Sequence, residues 1–170
     1  MSEVKEIKET YIEKQIGKII EVFKLLNKII ELYKELLNLK TKPINKRIEF
    51  IKHFDRFEMV FTSDELKSLR ELNYKAIKIS HEQGVYNPII ISLIHNNSDE
   101  SEEIRIPIAI DSYRPLVHIS ELLMKISKEA DHLIKIFNEI IELLNKKIKQ
   151  AKKEIVFVET FLKLWGLAYG

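Results

Sequence analysis

The sequence contains no cysteine. That absence removes disulfides, thiolate metal sites and a cysteine nucleophile, and it makes the cell interior, a cytoplasmic setting, the expected location. Glycine and proline number only four each among 170 residues, so turns are scarce and a helical protein is expected. No stretch of roughly 18 apolar residues occurs, and the opening MSEVKEIKETYIEK is charged where a signal peptide needs an apolar run. Neither secretion nor a membrane partner is expected. A dominant charge sign is missing too, with 28 Lys+Arg against 26 Asp+Glu; attraction to nucleic acid would have to be local. P-loop, dinucleotide, nucleophile-elbow and zinc motifs are all absent, so no cofactor is expected and a non-enzymatic role is favoured.

What is present is strong amphipathicity. Hydrophobic residues are 45% and charged residues 32% of the chain, which suits one folded domain, 1–170, with a proper core. Ile12, Ile16, Ile19, Phe23, Leu26, Ile30, Tyr33 and Leu37 alternate steps of four and three, predicting a long helix over 3–40 with a coiled-coil seam. From Val22 a second stripe (Leu25, Ile29, Leu32, Leu36, Leu39) widens the apolar face. Pro43 then punctuates the chain. Phe50, Phe54, Phe57 and Phe61 predict a short helix over 43–61, and Thr62-Ser63-Asp64-Glu65 reads as a capping box opening another over 63–84.

Residues 86–111 change character. Two β-branched runs flank the acidic NNSDESEE, predicting a β-hairpin whose 96–103 loop is mobile. A last helix is expected over 115–166, with a seam from Leu123 to Trp165 and a second stripe that ends at Leu143. Wide faces at 22–40 and 119–143 match when the long helices are laid antiparallel. The expected fold is therefore mainly α: a long antiparallel helical hairpin of bundle or coiled-coil type, with two shorter helices and a small β-hairpin inserted between its arms.

In IVFVETFLKLWGLAYG, 155–170, the last helix becomes apolar nearly all round. Phe157, Phe161, Leu164, Trp165, Leu167 and Tyr169 cannot all face one neighbour, and burial against another chain is the simplest cover. Gly17 is a place where a bulky ring could come close.

Other features suggest chemistry less specifically. Glu129 and His132 have the Glu-x-x-His spacing of carboxylate-bridged metal bundles, but only one such motif exists. A second pair, Arg47 and His53 in RIEFIKH, has an Arg-to-His spacing that resembles that of HEPN-type RNases, helical bundles that use such a pair, usually across a dimer. The resemblance covers seven residues, with Ile48 where that family usually has a polar residue. It implies Arg47 positioning a phosphate and His53 as general base. Two basic clusters, Lys40, Lys42 and Lys46 beside Arg47, and Lys146, Lys149 and Lys153 with their neighbours, could hold a phosphate backbone without sequence preference. The sequence thus reads first as an oligomeric helical scaffold or a subunit of a larger assembly, with a homo-oligomeric or protein partner. A nonspecific nucleic-acid binder comes second and a HEPN-like RNase third.

Overall fold

A computed structural model describes residues 2–45, 57–81, 88–107 and 116–169. Its elements are α1 (Ser2–Asn45), β1 (Glu58–Thr62), α2 (Lys67–Glu71), β2 (Tyr74–His81), β3 (Ile89–His95), β4 (Ser101–Ile106) and α3 (Leu116–Tyr169).

The heptad stripes form the two long helices, but these do not pair antiparallel. Gln15 contacts Ser127, Lys18 pairs with Asp131, and Glu35 pairs with Lys152. Partner numbers rise together, so α1 and α3 run parallel. Heptad spacing specifies a face and carries no direction. Short loops force neighbouring helices antiparallel, whereas here the whole 46–115 segment lies between them and permits either sense.

The second correction concerns that segment. Of the short helix expected over 43–61, residues 46–56, with Phe50 and Phe54, lie outside the described residues, 43–45 continue α1, and 58–61 belong to β1; in place of the helix expected over 63–84 stand the one-turn α2 and the strand β2. The four strands form one antiparallel sheet in the order β1-β2-β3-β4. The hairpin is therefore half of a larger sheet. Phe57 and Phe61 have helical spacing, yet Met59 and Phe61 are buried while Val60 between them is exposed, an alternation of period two. Ile77 and Ile79 repeat it on β2, and the register sets Phe61 opposite Ile77 and Ile77 opposite Leu93. A slip of one residue would put Lys78 into the core in place of Ile77, forgoing about 1.5–3 kcal/mol of burial for that isoleucine alone.

Of the two reciprocal bonds of the expected capping box, one forms. The Thr62 backbone N–H donates to Glu65 Oε1, and the N–H groups of Glu65 and Leu66 donate to the Thr62 carbonyl. They close the turn after β1; α2 begins only at Lys67. After it, Asn73 adopts φ 62°, a left-handed conformation that asparagine tolerates better than most residues. Ser101–Glu103, expected in a mobile loop, belong to β4. The turn before them is tied back by Asn96 N–H to the Asn73 carbonyl, at 3.1 Å.

The core lies between the helix pair and one sheet face. Val22, Leu26, Ile29 and Leu36 from α1 and Ile126, Leu133, Phe137 and Ile140 from α3 meet Met59, Phe61, Ile77, Ile79, Ile91, Leu93 and Ile104. The buried α1 stripe is thus chiefly the second one, from Val22. The seam residues Ile16 and Phe23 remain exposed and half-buried respectively. Among the described residues no helix is long and apolar enough to cross a membrane.

Candidate functional site

Two regions hold the residues singled out by the sequence. The first lies where the inner face of the sheet meets α3. Glu129 is buried, and its Oε2 is 3.4 Å from His132 Nδ1 one helical turn on. The β2/β3 register brings Tyr74 and His95 opposite each other at the same place. Tyr74 Oη is 3.4 Å from Glu129 Oε2 and 3.3 Å from His132 Nδ1. His95 packs on the Tyr74 ring at 5.3 Å between centroids, and its Nε2 is 3.5 Å from Glu102 Oε1. Burial pushes the Tyr74 phenol up to about 12, with the Glu129 and Glu102 carboxylates adding to the rise. A phenol so held stays protonated and donates to Glu129.

The sequence signalled only Glu129 and His132 here. Tyr74, His95 and Glu102 join them through strand pairing, which no local motif announces. Among the described residues no group of three His, Cys, Asp or Glu side chains converges as a metal site would need. The cluster acts as a polar clamp between sheet and helix. Nearby, Glu139 of α3 accepts from the backbone N–H groups of Lys67 and Ser68, the latter at 2.7 Å, and so caps α2. Burial raises the Glu139 carboxyl, but the Ser68 hydroxyl, these two N–H groups and Arg70 outweigh that and hold it below its ordinary value. A hydrogen bond from Lys135 lowers the Glu71 carboxyl likewise.

The second region is the end of α3. Counted equally along both helices from the Glu35–Lys152 pair, Asn45, the last residue of α1, comes level with Leu162. Beyond that level α3 continues alone among the described residues. Phe157 is 74% exposed, Phe161 53%, Leu164 61%, Trp165 54% and Leu167 85%. Phe161 and Trp165 rest on each other with ring centroids 6.1 Å apart. The Tyr169 side chain lies outside the described residues. Gly17 is far from this end, and a Cβ there would meet nothing within 4 Å.

The basic residues are partly placed. Lys40 is exposed near the end of α1, and Lys146, Lys149 and Lys153 are exposed on α3. The parallel helices bring Lys40 to the same end of the molecule as Lys149 and Lys153. Lys42 belongs to α1, though its side chain is outside the described residues, as are Lys46, Arg47 and His53 entirely.

Protein-family models, curated proteins and solved structures give no significant match to this chain.

Proposed function

We propose that this protein is a helical scaffold, a subunit that assembles through the apolar end of α3. The observation that supports the reading is the exposure of Phe157, Phe161, Leu164, Trp165 and Leu167 on one helix end. Leaving such side chains wet forgoes roughly 1.5–3 kcal/mol each, and a contiguous apolar patch of this kind marks an interaction site. No step in this role requires a cofactor. Sedimentation across a range of concentrations tests it: the wild type forms a defined oligomer that salt does not disperse. Phe161→Asp with Trp165→Asp keeps its helical content, because the core at 22–36 and 126–151 is untouched, and sediments as a smaller species. A wild type that stays monomeric at high micromolar concentration refutes the reading.

One observation favours a second reading, a nonspecific binder of nucleic-acid backbone. Parallel packing gathers Lys40, Lys149 and Lys153 at one end of the molecule, where an antiparallel pair would separate Lys40 from the others. Such a binder loses affinity steeply with salt, by about 0.9 in log–log slope for each phosphate neutralised on duplex DNA. A flat salt dependence excludes it.

A further inference from the structure

Which side of α3 is bare at its end follows from the heptad. Phe157, Phe161, Leu164 and Trp165 repeat, three heptads further on, the positions of Ile136, Ile140, Leu143 and Leu144. Those four are buried or half-buried against α1 and the sheet. A straight helix drifts about 20° per heptad, so about 60° over three, which leaves both sets on the same side. The same heptad positions in between, Lys147, Gln150 and Glu154, are exposed, so this side of α3 leaves the core after Leu144 and stays exposed through Trp165, beside the last turns of α1 as well as beyond them. Glu159 and Lys163 fall on the opposite side.

We propose that this face pairs with the same face of a second copy, tip to tip and antiparallel, about a two-fold axis at Phe161. The proposal rests on the scaffold reading above and names its partner. Direction is decided by what lies below the tip. In a parallel pair the partner helix, continued back from the tip, would run into the side of α3 already filled by α1 and the sheet at Ile136–Leu144. It would also set two 146–153 stretches, five lysines each, beside one another, and like charges at close range repel. In an antiparallel pair only the tips overlap, and the two bodies point away from each other.

The two-fold axis then sets Phe161 against its own mate, Phe157 opposite Trp165, and Val158 opposite Leu164. Such a contact is isologous and closes on itself. Glu159 and Lys163 remain in water, as a protein interface without buried unpaired charge requires. With each large aromatic burying about 150–250 Å², the exposed fractions of Phe157, Val158, Phe161, Leu162, Leu164 and Trp165 offer roughly 1,300 Å² over both copies. Stable complexes bury about 1,200–2,000 Å².

The absence of native cysteine makes crosslinking clean. Full-length Val158→Cys and Leu164→Cys chains, one of them carrying an N-terminal tag, are oxidised alone and as an equal mixture, with helical content checked first. Mixed disulfides between tagged and untagged chains, formed at least tenfold faster than either homodisulfide, are the expected result. Homodisulfides that dominate in the separate solutions overturn the antiparallel arrangement. An oligomer that sediments normally but crosslinks in neither experiment overturns this interface while leaving the scaffold reading intact. A monomer whose Trp165 emission shifts to the blue only on adding phosphatidylserine vesicles overturns both, because the face then enters a lipid surface.

Discussion

Ser127 donates a hydrogen bond to Gln15 across the helix pair, Oγ to Oε1 at 2.8 Å. This half-buried contact near the start of α3 meets a residue near the start of α1, and the Glu35–Lys152 pair repeats the sense further along. The four-stranded sheet lies across one side of the pair and supplies the cover that the second apolar stripe of each helix requires.

Gln15→Cys with Ser127→Cys should therefore form an intrachain disulfide on mild oxidation and raise the melting temperature. Tyr33→Cys with Ile126→Cys, which an antiparallel pair would bring together, should stay reduced. Mobility on non-reducing gels reads both, and the reverse pattern contradicts the parallel packing.

Glu139 is the only described link that caps the start of α2, through Lys67 and Ser68. Glu139→Ala should cost about 1–3 kcal/mol at neutral pH in urea unfolding, the range for a lost charge-assisted bond with donors left unpaired. Because the folded carboxyl titrates below its ordinary value, the stability it contributes is present above the unfolded pKa and is lost as pH falls through the folded one. The gap between wild type and variant should narrow in acid; an undiminished gap would assign the loss to packing.

Tyr74 gives the opposite end of the pH scale. Its phenol is raised from 10.0 to about 12, so the folded state keeps the proton while the unfolded chain releases it. Stability is full below the unfolded value and declines as pH climbs between 10.0 and about 12. Tyr74→Phe should flatten that decline in urea titrations, whatever it does at pH 7. An unchanged alkaline slope would show that other groups set it.

Gly17 sits inside α1 with open space where a Cβ would go. Gly17→Ala should stabilise by about 1 kcal/mol, roughly 2–4 °C in melting temperature for a chain of this size. The sedimentation coefficient should not change. A loss of oligomer in this variant would mean that another chain approaches α1 closely there, as the glycine had suggested.

The two long helices and the bare end of α3 were legible because each rests on a periodicity that one helix carries by itself. Their relative direction was not, since Ile16 and Ile134 would mark a seam equally well in either sense. The sheet was half legible. β3 and β4 stand between clear turn residues, but Phe61 of β1 and Phe57 just before it also fit a helical spacing, and β2 hides its alternation behind Tyr74 and the irregular register at Ala76. Of the polar clamp, Glu129 and His132 share one helix and so were visible. Tyr74, His95 and Glu102 come from three strands, and only the register joins them. For the α3 end, the loss of one-sided patterning after Lys153 located the bare surface.

Parallel packing also has a mechanical consequence. The start of α1 and the end of α3 lie at opposite ends of the long axis, so tension between attachments at those two places loads the α1–α3 contact in shear along its length. An antiparallel hairpin pulled from the same two places would peel open one turn at a time, breaking few contacts at once. With Ile29, Leu36, Phe137 and Leu144 all having to slip together, this arrangement suits a strut that transmits load between whatever is joined at either end.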